Sequence, residues 1–543
     1  MPRTLGWLGA TARAAGFRGP PLLWLASLLI AALFAVPFSY LVVRNVTEGS
    51  EPLRTFFSRD TAEPLWNTLR LAVAVSAASA ALGTLLAWLT MRTDLPFRWF
   101  WRIACPLPLV LPSFVAAAAL LAALAPGGLA EELLSPIGLH APTRIDGFWG
   151  AFFVLTAVSY PYVYLPAAAR IGGLPPSLEE ASRLLGQGGL ATFRRVVWPQ
   201  ARGAVQAGTL LVFLYVVSDF GVVKLMGYST LSTNIFLNRL FDAPLAFALG
   251  LVLAVVALTV AGLERAAVRG SLAHLAAGGV RARRVALGRW KAPAIGAVVL
   301  SVGTGLLAPV AVLAWWAYRG LANEAAGFDR AGGDLSALSE PALNTVLAGL
   351  VTALVAVAVV LPLAYLTGRH RSWGAGAVHI VVAGSFAVPG LLIALAVVFM
   401  ALRVPGLHFL YLSFPLLIFA YVVHFGVQAL RTAEVGVATV DRRLEEAAQT
   451  LGAGRLRRLL RIEVPLMLPA LAAGGGLVML STMKELPATL LAAPIGFETL
   501  ATRIWNANED GFLADAGLAG LVLIAVSAAL TWMLVIRHSE HLR

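Results

Sequence analysis

The sequence predicts an all-α polytopic membrane protein, with about 12 transmembrane helices in two pseudo-symmetric six-helix halves. The first observation is composition: 59% of the 543 residues are hydrophobic and 13% are charged, whereas about a quarter of a soluble domain is charged. The second is that many apolar runs reach the roughly 20 residues that cross a bilayer as a helix. The third is that polar motifs recur at constant spacing in the two halves, which indicates a duplicated unit.

The apolar runs define the elements in order. The first run is too long for a signal peptide, and no clear cleavage site follows it, so we expect it to remain as a span. The predicted spans are 21–43, 64–91, 103–125, 148–170, 203–223, 244–263, 292–318, 342–367, 376–402, 409–430, 466–491 and 514–536.

The net charge of +13 could suggest a nucleic-acid partner, but the position of the charges argues against one. Most of the 41 Lys and Arg residues lie in alternate loops, as the positive-inside rule predicts for a spanning protein. We therefore expect a multi-pass membrane protein, with lipid around it and both termini in the cytoplasm. The lone Cys105 excludes an internal disulfide.

The duplication is visible in polar positions. Three pairs lie 266 positions apart: Glu179 and Glu445, Gly186 and Gly452, and Pro199 and Pro465. Two further pairs lie 277 positions apart: Asn67 and Asn344, and Pro112 and Pro389. The predicted organisation is a first half (1–265), a basic linker (266–291) and a second half (292–543). The duplicated segments lie in 172–202 and 432–465, named the first and second loop here.

Each loop predicts a short amphipathic helix on the cytoplasmic side. In "SLEEASRLLGQG" the helix is expected to begin at Ser177 with Glu180 completing a capping box. Gly186 and Gly452 are expected to end the two helices in the left-handed conformation. One face of each helix is apolar: Leu178, Ala181 and Leu185 in the first copy, and Leu444, Ala447 and Leu451 in the second.

The sequence also indicates what the chain does not carry. A P-loop requires Gly-Lys followed by Ser or Thr, and the three lysines (Lys224, Lys291 and Lys484) are followed by Leu, Ala and Glu. Energy must therefore come from another chain or from an ion gradient, and an ion-gradient-driven secondary transporter remains an alternative. A membrane-embedded enzyme has no cluster of catalytic residues to support it, and no metal site is predicted.

Ionisable residues near the ends of two spans are candidates for a translocation path. Asp219 and Glu485 are matched at the 266-residue spacing, and Lys484 precedes Glu485. Such residues are costly in a bilayer and tend to face a bundle interior or a water-filled path. Pairing between neighbouring charges near the external surface is the alternative explanation.

The segments "EEASRLLG…P" and "EEAAQTLG…P" resemble the EAA motif of permease subunits of binding-protein-dependent ABC importers, in a fused two-half form. The resemblance implies the type I importer fold, with coupling helices that dock on two copies of a cytoplasmic ABC ATPase. It also implies a periplasmic substrate-binding protein, ATP and Mg on the ATPase, no cofactor on this chain and no enzymatic activity of its own. The implied coupling residues are Glu179, Glu180, Ala181, Leu185, Gly186, Pro199, Glu445, Glu446, Ala447, Leu451, Gly452 and Pro465.

A narrower resemblance concerns the substrate. "MKELPATLL" followed by "FETLATRIW", and "SDFGVVKLMGYSTLSTNIF" in the first half, are similar to the ferric-iron branch of these permeases. This resemblance implies ferric iron as substrate. Thiamine, phosphonate and sulfate permeases are related and remain alternatives.

Overall fold

The computed structural model describes residues 20–47, 58–125, 127–138, 145–271, 285–322, 335–370, 372–531 and 533. Their regular structure is helical, apart from one isolated bridge between Thr93 and Val285, which confirms the all-α prediction. The α-helices are α1 (Pro21–Thr47), α2 (Arg59–Arg92), α3 (Arg98–Ala104), α4 (Ser113–Leu124), α5 (Leu129–Leu134), α6 (Gly147–Ser159), α7 (Pro161–Gly172), α8 (Pro176–Leu184), α9 (Gly189–Thr192), α10 (Trp198–Ser218), α11 (Gly221–Leu225), α12 (Leu231–Asn238), α13 (Ala243–Ser271), α14 (Lys291–Val302), α15 (Ala308–Leu321), α16 (Ser339–Arg369), α17 (Trp373–Ser385), α18 (Gly390–Arg403), α19 (Phe414–Thr439), α20 (Arg442–Thr450), α21 (Arg455–Arg458), α22 (Val464–Met483), α23 (Pro487–Ala492), α24 (Leu500–Glu509) and α25 (Leu513–Thr531). Short π segments occur at Phe193–Val197, Gly303–Leu307 and Leu459–Glu463, and 3-10 segments at Leu107–Val110, Ser135–Ile137, Gly288–Trp290, Leu335–Leu338 and His408–Leu410.

The described helices provide enough apolar length for the predicted spans. Ten helices are long and apolar enough to cross a membrane, and two further helix pairs meet the same test together. If each pair counts as one span, the total is 12, as the sequence predicts.

The two helix pairs are bent where the sequence predicts single spans at 103–125 and 376–402. Arg98–Val110 meets Ser113–Leu124 at 90°, and Trp373–Ser385 meets Gly390–Arg403 at 96°. Pro112 and Pro389 stand at the N-caps of α4 and α18. A proline has no amide hydrogen to continue a helix and keeps the residue before it out of the helical region. Each of these two predicted spans is therefore divided by a sharp bend, and the matched prolines mark the bends.

The described helices form two compact units, and each unit draws on both halves of the sequence. Unit 1 comes from Met1–Glu48, Leu335–Arg503 and Ala525–Arg543, and unit 2 from Gly49–Asp334 and Ile504–Ile524. Within unit 1, α1 packs on α16, α17 and α18, and within unit 2, α15 packs on α4. The predicted halves describe the duplication in the sequence but not the packing. The first helix of each half packs in the unit that is built mainly from the other half.

Small residues allow neighbouring helices to approach closely inside each unit. A Cβ atom on Gly83 of α2 would lie 2.8 Å from the carbonyl oxygen of Tyr160. In unit 1, a Cβ atom on Gly474 of α22 would collide with the Thr432 hydroxyl of α19. Close helix contact through small side chains is typical of packing within membranes, where no hydrophobic force draws helices together.

The end of the predicted linker is fastened to the loop between α2 and α3. Residues 272–284 of the linker lie outside the described part of the chain. The Asp94 carboxylate accepts hydrogen bonds from the Leu287 amide at 2.8 Å and from Lys291 Nζ at 3.2 Å. The Leu287 amide, followed by Lys291, lowers the pKa of the Asp94 carboxyl. These bonds fix where α14 begins.

Candidate functional sites

The first loop contains a short helix that begins slightly earlier than the sequence predicts. Helix α8 already includes Pro176, so Ser177 lies inside its first turn and the predicted capping box is wrong. Proline is favoured in the first turn of a helix because its φ angle is preset and no hydrogen-bond donor is needed there. The predicted helix end is confirmed, since Gly186 has a φ of 75°.

The second loop repeats this arrangement with a different cap. The Asp441 carboxylate accepts a hydrogen bond from the Arg443 amide at 3.0 Å, which satisfies one free donor at the start of α20. Gly452 ends the helix with a φ of 78°, as predicted. The sequence analysis did not assign Asp441 a role, although an aspartate directly before an amphipathic helix is a recognisable signal.

A second short helix follows in each loop and continues into a span. In the first loop α9 runs through the π segment Phe193–Val197 into α10, and Pro199 lies in the first turn of α10. In the second loop α21 runs through Leu459–Glu463 into α22, with Pro465 in the first turn. A π segment widens the helix by one residue per turn and often occurs at functional positions.

Both loop helices expose apolar side chains. Leu185 is 80% exposed and Leu451 is 87% exposed, and Leu178 and Leu444 on the same predicted faces are also exposed. The neighbouring candidates Glu180, Ala181, Glu446 and Ala447 are exposed as well. An exposed apolar surface with a charged rim is characteristic of a protein–protein contact.

The first glutamate of each loop is instead turned inward and paired with an arginine. Arg92, at the end of α2, forms an ion pair with Glu179 at 3.1 Å, and only 1% of the arginine side chain is exposed. Arg92 also donates hydrogen bonds to the carbonyl oxygens of Ile171 and Leu174, both at 3.0 Å. One guanidinium group therefore fastens α8 and the segment before it to α2.

The same contact is present in unit 1. Arg369, at the end of α16, pairs with Glu445 at 2.5 Å and donates to the carbonyl oxygen of Val440 at 2.7 Å. Neither arginine is among the predicted coupling residues. The signal was available, because Arg92 and Arg369 lie 277 positions apart, like Asn67 and Asn344.

The candidate path residue Asp219 lies at a break between two helices of unit 2. The predicted span 203–223 ends at Ser218, and α11 begins at Gly221. The Asp219 carboxylate accepts hydrogen bonds from the Ser113 hydroxyl at 2.6 Å and from the Val222 amide at 2.9 Å. The carboxylate thus joins the start of α4, which follows the first bend, to the start of α11.

The counterpart break lies in unit 1. The predicted span 466–491 ends at Met483, Lys484 is the C-cap of α22, and Glu485 follows. One Glu485 oxygen accepts a hydrogen bond from the Ala488 amide at 3.2 Å and lies 2.6 Å from the position of a Cβ atom on Gly390.

The two carboxylates face different residues at one matched position of the repeat. Gly390 is the repeat counterpart of Ser113, so the shorter Asp219 faces a serine and the longer Glu485 faces a glycine. His424 lies beside the same glycine, with its ring 3.3 Å from the added Cβ position. In the described residues no three His, Cys, Asp or Glu side chains form a group able to hold a metal ion.

Apolar helices of spanning length, a duplicated loop with an exposed apolar face and an acidic residue at a helix break in each unit together indicate a membrane-embedded transport subunit. The chain belongs to the family of binding-protein-dependent transport system inner membrane components, whose model matches residues 79–270 and 360–539. It is thus a multi-pass inner-membrane permease of the ABC importer type, with two family segments in one chain. Membership implies an ATPase and a substrate-binding protein as partners, and the relatives are transport subunits.

Individual relatives cover the chain to different extents. The Fe(3+)-transport system permease protein FbpB 2 of Haemophilus influenzae is 30% identical over 95% of this chain and 98% of its own length. The probable ABC transporter permease protein y4fN of Sinorhizobium fredii is 26% identical over 99% of this chain and 96% of its own length. The sulfate transport system permease protein CysT of Synechocystis is 26% identical over 43% of this chain and 84% of its own length.

Proposed function

We propose that the chain is the permease of a ferric-iron importer. The observation that carries this proposal is the 30% identity to an Fe(3+)-transport permease across 95% of the chain. The sulfate permease is similar over 43% of the chain, so sulfate import is the second candidate.

The substrate is tested with membrane vesicles that contain the chain, its ATPase and its binding protein. Radioactive ferric iron or radioactive sulfate is presented on the binding protein, and ATP is supplied at the ATPase side. We expect ATP-dependent accumulation of iron and none driven by a proton or sodium gradient alone. Accumulation of sulfate instead of iron would contradict the proposal.

Energy is proposed to enter through the two loops on the cytoplasmic side, where both termini also lie. Helices α8 and α20 each dock on one copy of the ATPase subunit, which binds ATP and Mg, while this chain binds no cofactor. The exposed Leu185 and Leu451 support this role, because an apolar side chain in water gains free energy when a partner covers it. The proposed contact and positioning residues are the 12 coupling residues inferred from the EAA resemblance.

The coupling role is tested with Glu446→Lys and Gly452→Asp in the same vesicles. Glu446→Lys reverses a charge at the docking surface, and Gly452→Asp adds a negative one. ATP hydrolysis should then no longer respond to the loaded binding protein, and uptake should fall. Glu340→Lys is the control, since Glu340 is exposed in the first turn of α16 and lies outside both loops and outside the external segments 224–243 and 492–513. Normal uptake by a Glu446→Lys complex that retains its ATPase would exclude this coupling surface.

The translocation path is proposed to include Asp219, Lys484 and Glu485, beneath external segments 224–243 and 492–513 that receive the binding protein. Carboxylate oxygens are suitable ligands for a hard cation, and both carboxylates lie at helix breaks, where backbone polar groups can face a path. We expect Glu485→Gln to reduce iron uptake while the complex stays assembled. Unchanged uptake kinetics would remove Glu485 from the path.

A further inference from the structure

The segment that follows α8 in unit 2 is held by aromatic and hydroxyl contacts. The Phe193 ring lies edge-on to the Trp88 ring of α2, with the ring centroids 6.1 Å apart. The hydroxyl groups of Ser182 and Thr192 lie 3.1 Å apart and are buried. Val197, at the end of the π segment, is 3% exposed. Neutral side chains therefore make both contacts: the aromatic one joins the segment to α2, and the hydroxyl one joins it to α8.

The corresponding segment in unit 1 is held by charge. Glu463, at the end of the π segment before α22, is 5% exposed. One carboxylate oxygen accepts a hydrogen bond from Arg458 Nε at 3.0 Å, and the other accepts one from the Tyr365 hydroxyl at 2.6 Å. A buried carboxylate is costly unless both oxygens are satisfied, and charged hydrogen bonds of this kind are stronger than neutral ones.

The two arrangements occupy the same repeat positions. The first-half counterparts of Tyr365, Arg458, Leu459 and Glu463 are Trp88, Thr192, Phe193 and Val197. The counterpart of Ser182 is Ala448, which is buried and offers no hydroxyl. Every member of the neutral contact is thus replaced, and Glu463 joins two of the other replacements, Tyr365 and Arg458. Because several contacting positions differ together between the halves, the segment is held by two different types of contact. A single isolated charge substitution would have left the other neutral residues unchanged.

The charged anchor joins the second loop to one helix at two points. Tyr365 lies on α16, and Arg369, one turn further along the same helix, pairs with Glu445 of α20. Glu463 therefore fastens the end of the second loop to the helix that also holds its beginning. A shift of α16 would move both ends of the loop together.

We propose that Glu463 is a positioning residue for energy coupling, which sets the docking position of α20 through Arg458 and Tyr365. This inference rests on the proposed coupling role of the two loops. The two loops share an arginine–glutamate pair at their first helix, but the segment after that helix is held by an ionic contact in the second loop and by an aromatic contact in the first. Loss of the Glu463 charge should weaken docking at the second loop alone.

The test measures ATP hydrolysis in vesicles as the ATPase subunit is titrated onto the full-length chain. Glu463→Val introduces the first-half residue and leaves Arg458 and Tyr365 without their shared partner. We expect the concentration of ATPase subunit for half-maximal hydrolysis to rise about tenfold, which corresponds to a loss of about 1.4 kcal/mol of binding free energy. The maximal rate should be retained. Glu463→Gln can still accept a hydrogen bond from Tyr365, so its half-maximal concentration should lie between those of the wild-type chain and Glu463→Val. A general folding defect would instead lower the maximal rate.

Two further variants make the outcome specific. Arg458→Thr should act like Glu463→Val, whereas Arg457→Thr removes the same charge from an exposed neighbouring position and should have no effect. The combined variant Tyr365→Trp, Ala448→Ser, Arg458→Thr, Leu459→Phe and Glu463→Val rebuilds the first-half anchor and should restore the wild-type titration.

The results separate this inference from the proposed function. If Glu463→Val and Arg458→Thr titrate like Arg457→Thr, while Glu446→Lys still uncouples hydrolysis from transport, the anchor proposal fails and the coupling role stands. If Glu446→Lys and Gly452→Asp also have no effect, the proposed coupling role itself fails. A combined variant that remains as impaired as Glu463→Val would likewise contradict exchange of one anchor for the other.

Discussion

At the scale of residues, each loop depends on a pair of charges that are distant in sequence. The Arg92 and Glu179 side chains are 1% and 10% exposed, whereas those of Arg369 and Glu445 are 14% and 23% exposed. Burial makes the loss of one partner expensive, because the remaining charge is left without water or a counterion. The same contact should therefore contribute differently to stability in the two units.

We expect Arg92→Met or Glu179→Leu alone to lower the free energy of unfolding by about 3–5 kcal/mol, the usual cost of an unpaired buried charge. The double variant should recover part of this loss, because two apolar side chains can replace a buried ion pair, while the carbonyl oxygens of Ile171 and Leu174 still lose their donor. The equivalent cycle at Arg369 and Glu445 should give a smaller coupling energy. Double-mutant cycles in mixed micelles measure both values, and additive losses at Arg92 and Glu179 would contradict the expectation.

At the scale of elements, the sequence predicts where helices exist more reliably than how they bend. Apolar length and turn residues are local signals, so the spans and the helix ends at Gly186 and Gly452 follow from them. The break at Asp219 depends on Ser113, 106 positions away in the chain, and no local pattern reveals that contact. The packing of α1 in unit 1 is also non-local, and the matched prolines mark positions without giving a bend angle.

The left-handed end of α20 gives a prediction of its own. No atom lies within 4 Å of a Cβ added to Gly452, so a substitution there is resisted by backbone strain alone. Gly452→Ala should cost about 1–2 kcal/mol in the end of the helix, whereas Gly452→Asn should cost less because asparagine tolerates this conformation. Amide hydrogen exchange in α20 should be faster in the alanine variant than in the asparagine variant. Equal rates would show that the φ of 78° does not hold the helix end.

At the scale of the whole molecule, the composition of the units determines how the chain can be divided. Unit 1 needs α1 from the start of the chain, and unit 2 needs α14 and α15 from beyond the linker. A chain cut within the linker therefore leaves each fragment without a helix that completes its main unit. The duplication in sequence does not produce two independent halves.

We accordingly expect fragments 1–271 and 285–543 to be unstable when expressed separately and to purify together when co-expressed, with ATP-dependent uptake restored. The physical reason is that each missing helix leaves an apolar, closely packed face without its partner, and small-residue contacts of this kind supply much of the packing within membranes. Adding a separately encoded 1–48 segment to fragment 285–543 should raise the yield of that fragment, whereas a segment with α1 residues scrambled at constant hydropathy should not. Fragment 285–543 that folds equally well with and without α1 would show that the unit does not depend on the exchanged helix.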